Sequence, residues 1–425
     1  MIEEVGGTGR RRSVPSRQMQ RFLLAAAGLL LVGACTTVDD SASSTTAAVT
    51  IPPTTGSALA ETSGRLVVID QEGNVVTVRP DGSDQRAVTD DAGESIGYAQ
   101  PSWSPESDRI AWAEVTAEGF GVGLSDPEGG ERSVIPMNAP PFYLYWSPDG
   151  QSIGVLHNGA QGAIEFELVD VGGGSAAVVA TGSPFYFSWS PESDRVVVHV
   201  RGEIFGLIEL DGTITDLGST AVGYQSPHWT PSGIFHRGEQ GLELRDVAGA
   251  AQTLATARGP LALVANQAGT RVAVQSIADD GPGGVTAAIS ETPMLPPNSV
   301  AVVDVATGEV TQITERPSIG FFWSPDGEKL LVLDPTGEAA EVNALVWDGE
   351  ETTTLFSFVP HPALVRDVLQ FFDQYSQSLQ LWSPDSSAVV VVGAVEGEPG
   401  IWVHEIEGSG PVDVIDGSWA AWSQQ

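Results

Sequence analysis

Cysteine and lysine are almost missing from this chain of 425 residues. The one cysteine, Cys35, excludes an intramolecular disulfide and any cysteine-based zinc site. Lys329 is the one lysine, and all basic residues together number 19 against 55 acidic ones, a formal charge of −36. A field of that sign repels phosphate backbones, so nucleic acid is excluded as an expected partner. No run of apolar residues is long enough to cross a bilayer as a helix; the longest, Phe22 to Val32, has about half the required length. The catalytic signatures are missing too. There is no G-x-S-x-G elbow and no H-E-x-x-H, and the six histidines (157, 199, 228, 236, 361 and 404) are scattered. His228 and His236 flank one turn and could converge with a carboxylate, although an ordinary strand histidine is the commoner case. No metal or cofactor site is expected.

What the chain does contain is glycine (49), proline (28) and 31 aromatic residues, the last enough to fill a substantial core. That balance suits many short strands joined by turns.

The first 34 residues read as an export signal. Arg10, Arg11, Arg12, Arg17 and Arg21 precede the apolar run, and Gly33 and Ala34 precede Cys35. The start is Met1 or Met19. "VGAC" resembles the lipobox of bacterial lipoproteins. The resemblance implies diacylglyceryl transfer to the Cys35 thiol and cleavage before it, and two acyl chains on one residue suffice for stable anchoring. An ordinary signal peptide with an incidental cysteine is the alternative. Loss of the leader removes five Arg and two Glu, leaving 14 basic and 53 acidic residues, net −39. Residues 35–63 are rich in Ser, Thr and Ala, include Pro52 and Pro53, and lack apolar periodicity, so they read as a flexible tether with a reach of roughly 30 Å. The expected location is the cell membrane, lipid-anchored on the extracytoplasmic side, with a protein of the envelope as partner.

From residue 64 to 425 the chain repeats itself. "SWSPESDRIAW" begins at Ser102, "YWSPDGQSIGV" at Tyr145, "SWSPESDRVVV" at Ser188, "HWTPSGIFH" at His228, "FWSPDGEKLLV" at Phe322 and "LWSPDSSAVVV" at Leu381. A degenerate copy, "VANQAGTRVAV" from Val264, puts Ala265 in the tryptophan slot, and the chain closes on "AAWSQQ". Successive slots (Trp103, Trp146, Trp189, Trp229, Ala265, Trp323, Trp382, Trp422) lie 43, 43, 40, 36, 58, 59 and 40 residues apart. A period near 40 with an aromatic signature predicts a β-propeller, one four-stranded blade per repeat. In each phrase the residues before Trp form a strand, Pro ends its ladder, a tight turn follows, and a β-branched run starts the next strand. The indole has the size to fill the wedge between blades.

"WSPDG" with its following strand, "VVDVATG" and "QIT" resemble the WD40-like repeats of the TolB type, which implies a propeller and little about activity. "GRLVVIDQEGNVVTVRPDGSDQRAVTD" after the tether has no Trp-Ser-Pro of its own, and "SWAAWS" at the end has no strand after it. One blade is therefore expected to take strands from both chain ends, giving eight blades, or seven if the degenerate copy is not a full blade.

Two intervals exceed the period. The insertion at 277–299 is Gly/Pro-rich and contains Asp279 and Asp280, weak as a cation site. The insertion at 360–378 spaces Leu364, Val368, Phe371, Phe372 and Tyr375 as one face of a helix lying on the ring. It either caps the ring or offers a site; in the second case Arg366, Phe372, Asp373, Gln374 and Tyr375 are the candidate binding residues. The leading functional expectation is a non-catalytic lipoprotein that binds a protein partner or ligand. The alternatives are a propeller glycosidase or lyase with a pair of funnel carboxylates, and a sensor or accessory protein of a membrane complex.

Overall fold

The computed structural model describes residues 59, 62–159, 162–201, 204–218, 225–277, 292–338 and 340–425. The leader, Cys35, most of the tether, and Asp279 and Asp280 lie outside the described residues. Six antiparallel sheets have four strands each, and a seventh has seven strands. The seven-stranded sheet is two blades joined edge to edge by the strand Thr352–Pro360. This strand is the outer strand of blade 7 up to Phe358, while Val359 and Pro360 pair with Ala394 and Gly393 of blade 8. The count is eight blades, and the degenerate copy at Val264 opens a complete one, with strands Leu261–Ala265, Arg271–Ser276, Ser299–Asp304 and Val310–Gln312.

Blade 1 closes the ring. Its first strand is the C-terminal Gly417–Trp422, which pairs with the N-terminal Leu66–Asp70 in the register Leu66 to Trp422 and Val68 to Ala420. Strands Val75–Val78 and Arg86–Ala87 complete it. The ring is thus closed by one ladder between strands from opposite ends of the propeller, and opening it requires breaking that ladder.

The first strands of neighbouring blades touch one another around the axis. Each carries the tryptophan slot at or next to its end, and in four blades the indole reaches backwards. Trp189 Nε1 donates to Tyr145 O at 3.0 Å, Trp382 Nε1 to Phe322 O at 3.0 Å, Trp323 Nε1 to Val264 O at 2.8 Å, and Trp103 Nε1 to Ala421 O at 3.3 Å. In all four cases the acceptor is the residue just before the preceding blade's slot, Ala265 included. These indoles are buried, so each bond replaces water that the site cannot hold. Trp229 is half-buried, and Trp146 and Trp422 are buried with no partner for Nε1.

The turn after each tryptophan adds a second seam. Ser147 Oγ donates to Asp149 at 2.6 Å and accepts from Ser152 N at 3.0 Å, closing the loop on itself. Gly150 and Gly327 take φ near 70° in these turns, the left-handed region where a side chain is strained. At the equivalent place Ser107, Ser193 and Ser386 carry φ of 58°, 61° and 60°. Their hydroxyls are used: Ser193 Oγ accepts the Asp149 amide, Ser386 Oγ the Asp326 amide and Ser107 Oγ the Gln424 amide, each from the preceding blade. The strain is offset by a contact between blades.

Trp382→Phe removes a bonded indole N–H, whereas Trp146→Phe removes an unbonded one. In urea melts the first change is expected to destabilise by about 1 kcal/mol more than the second. Equal losses would show that the indole N–H does not join the blades.

Candidate functional site

The eight strands around the axis are uncharged. Between Ile96–Trp103, Pro141–Trp146, Phe185–Trp189, His228–Thr230, Leu261–Ala265, Gly320–Trp323, residues 379–382 and Gly417–Trp422 there is no Asp, Glu, Lys or Arg. His228 is the one basic group they contribute.

Into this axis the structure places the insertion at 360–378. It interrupts a strand: Pro360 pairs with Gly393 and His361 N donates to Val392 O, and the same edge resumes where Val390 N donates to Leu381 O and Trp382 pairs with Val389. The expected single helix is three short turns: a π turn at Leu364–Val368, a 3₁₀ turn at Leu369–Phe371 and an α turn at Phe372–Tyr375. The breaks fall at Val368 and Phe371, whose φ values of −113° and −130° leave the helical range. Rotation at these points corrects one assignment on the apolar face. Leu364, Val368, Phe372 and Tyr375 are buried, but Phe371 is 41% exposed and faces outward.

The innermost edge of a propeller blade carries unpaired backbone groups, and the plug satisfies several of them with side chains. Gln374 acts as a short strand mimic. Its Oε1 accepts from Phe187 N at 3.0 Å and its Nε2 donates to Phe187 O at 2.8 Å, so one amide fills both positions on blade 4. The same amide meets Tyr143 Oη at 2.9 Å and Ser226 Oγ at 3.0 Å. Tyr375 Oη donates to Phe142 O at 3.0 Å, and its ring packs edge-on to Tyr143 with centroids 4.9 Å apart. Phe372 packs against Phe321 at 4.7 Å.

Asp373 accepts the Ser226 amide at 2.9 Å, and its backbone carbonyl lies 2.8 Å from His228 Nε2. His228 Nδ1 accepts the Ala265 amide at 3.3 Å. These two contacts require the neutral ring protonated on Nε2, in line with burial lowering the His228 pKa to about 4. Burial pushes the Asp373 carboxyl the other way, up to about 6, against three backbone hydrogen bonds that favour its charged form. No cation faces it from the surrounding strands.

Of the residues singled out by sequence, Phe372, Asp373, Gln374 and Tyr375 therefore come together, buried and bonded to the ring. Arg366 does not join them: it is exposed and forks onto the adjacent Asp367 at 2.7 and 2.6 Å. His228 and His236 also part company. His228 faces the plug, while His236 Nε2 lies 3.6 Å from Glu243 and its ring packs on Phe205. Sequence reasoning missed Tyr143, Phe187 and Ser226, which hold the plug; the first two sit in strands and Ser226 just before one, at positions that no local pattern distinguishes. It also missed a cleft at the ring-closing seam lined by Arg65, Arg79 and Arg86. Three arginines within 22 residues of so acidic a chain were the available signal.

No protein-family model matches the chain, and no curated protein does. Many solved structures do. Oligogalacturonate lyase from Vibrio parahaemolyticus is 12% identical, over 82% of this chain and 99% of that one, with a TM-score of 0.51. The dihydro-heme d1 dehydrogenase NirN is 13% identical, over 84% and 74%, with a TM-score of 0.54. TolB from Acinetobacter baumannii is 12% identical, over 82% and 78%, at 0.38. The shared feature is the fold. Proteins of unlike activity have it, so the β-propeller alone assigns no chemistry here.

Asp373 sets a pH dependence. A carboxyl whose folded pKa lies above the unfolded value of 3.8 stabilises the fold when protonated, and that contribution is lost as pH rises from about 4 to 6. Asp373→Asn keeps an acceptor for Ser226 and removes the charge. The variant is expected to gain about 1–3 kcal/mol over the parent at pH 7.5 and little at pH 4. A gain independent of pH in paired thermal melts would assign the effect to packing instead.

Proposed function

We propose that this chain is a non-catalytic lipoprotein of the bacterial cell envelope, held by Cys35 on the extracytoplasmic side, whose TolB-like propeller binds a protein partner or ligand as a scaffold or accessory component. The observation that carries this reading is the uncharged axis. A glycosidase at the funnel needs two carboxylates about 5–9 Å apart. The strands around this axis supply none, and of the two carboxylates of the plug, Asp373 is buried and bonded to Ser226 while Asp367 is paired with Arg366 on the exposed side. The one axial histidine has both ring nitrogens engaged.

The lipobox and the Ser/Thr-rich segment after it support the tethered location, as does the emergence of Leu59 and Thr62 at the ring-closing seam, where Thr62 Oγ1 donates to Glu405. Among the described residues no helix is long and apolar enough to cross a membrane.

Two measurements test the reading together. In cells fed radiolabelled palmitate the protein is expected to take up label and fractionate with membranes, and Cys35→Ser to abolish both. Crosslinking in intact cells is expected to capture a specific envelope protein. Turnover of acidic glycans by the purified protein, abolished by one carboxylate substitution, would overturn the non-catalytic part. Unlabelled protein recovered from the medium would overturn the anchor.

A further inference from the structure

The cleft at the ring-closing seam has a volume of about 460 Å³ and is walled by both chain ends. Arg65 and Thr62 come from the N-terminal side, Ser423 and Gln425 from the C-terminal side, and Pro127 and Glu128 from blade 2. Three guanidinium groups of its wall converge on one carboxylate of the adjoining turn. Asp84 Oδ2 lies 2.8 Å from Arg65 Nη1, 2.9 Å from Arg86 Nη2 and 3.6 Å from Arg79 Nε. Asp84 sits at φ of 51°, a left-handed conformation that costs a non-glycine residue energy, on an exposed turn.

The two acids that line the cleft are engaged as well. Asp81 accepts from Ser83 Oγ and Ser83 N, and Glu128 pairs with the far side of Arg86. Arg79 is the loosest of the three: its side chain is 58% exposed and its Nη atoms have no partner among the described residues. Arginine forks match planar carboxylates and phosphates, and they act at short range, inside the roughly 8 Å over which salt screens the wider acidic field.

We propose that this cleft is a binding site for an oxyanion, a carboxylate or phosphate group, and that Asp84 is an internal carboxylate the ligand displaces. A carboxylate ligand leaves the charge around the three arginines unchanged, and a phosphate adds negative charge to it. The exchange also lets the Asp84 turn relax into water. Because the walls come from both ends of the chain, an occupied cleft would clasp the seam and stabilise the ring. The proposal does not depend on the lipid anchor, since the ligand is tested in solution.

The test is calorimetric titration of the full chain in detergent with inorganic phosphate at low salt, alongside Asp84→Asn and Arg79→Gln. Both substitutions are on exposed side chains, and unchanged melting temperatures without phosphate confirm that they fold. The parent is expected to bind at millimolar phosphate, Asp84→Asn about tenfold more tightly and Arg79→Gln about tenfold more weakly. A second arm compares phosphatidylglycerol with phosphatidylcholine vesicles, scoring the rise in melting temperature. A rise confined to phosphatidylglycerol and lost in Arg79→Gln identifies a lipid headgroup as the source of the phosphate. No saturable binding by the parent or by Asp84→Asn in either arm overturns the proposal, as does Arg79→Gln binding as tightly as the parent.

Discussion

The structure depends on the seam between successive blades, which in four of the eight carries a hydrogen bond from the slot indole to the blade before it. A propeller blade is a small twisted sheet with no core of its own, and its stability comes from the faces it presents to two neighbours. The indole at the end of the first strand fills the wedge between those faces. Its N–H fixes the register by reaching the carbonyl beside the preceding slot. Area alone would let blades slide, whereas a directional bond to one carbonyl does not. The blade opened by Ala265 illustrates the division of labour. It receives the Trp323 bond at Val264 but has no indole to give, and a different contact, the Ala265 amide on His228 Nδ1, links it to the blade before. Asn266 takes over the serine's place in the turn, accepting from Thr270 N and Arg271 N.

Blades arranged in this way leave their innermost edges facing an axis, and unpaired strand edges are a liability. Here the protein meets the problem with an insertion into one inner strand. Gln374 imitates a strand across from Phe187, Tyr375 covers Phe142, and Asp373 covers Ser226, so blades 3, 4 and 5 are tied to blade 8 across the ring. The cost is a carboxylate held away from water without a cation. Its raised pKa is the measure of that cost, and the neutral tautomer of His228 is a further consequence of the same enclosure. The polar groups most suggestive of a site in the sequence are therefore engaged in closing the ring. The outward side of the plug is different: Arg366 and Phe371 stand exposed there.

Eight blades and closure by strands from both ends of the propeller were legible in the sequence. Each rests on a local rule: a Pro after a strand, a turn that needs a positive φ, a period near 40, and two half-repeats that complete each other. The helical spacing of Leu364, Val368 and Tyr375 was read correctly as a buried face, because burial follows from apolar periodicity. Phe371 was misassigned, since two breaks in the backbone rotate the segment and periodicity assumes an unbroken helix.

The amino-acid sequence by itself determined the repeat, its strand order and the surplus of negative charge, because these follow from neighbours along the chain. Only the tertiary structure decided what Asp373 and Gln374 do and where Arg65, Arg79 and Arg86 meet. Their partners come from blades far away in sequence: Phe187 and Ser226 lie 187 and 147 residues from the side chains that bind them. The arginine cleft likewise exists only once residue 65 and residue 423 share a sheet end, where Arg65 N donates to Ser423 Oγ. Contacts of that range are set by ring closure, which no window of sequence contains.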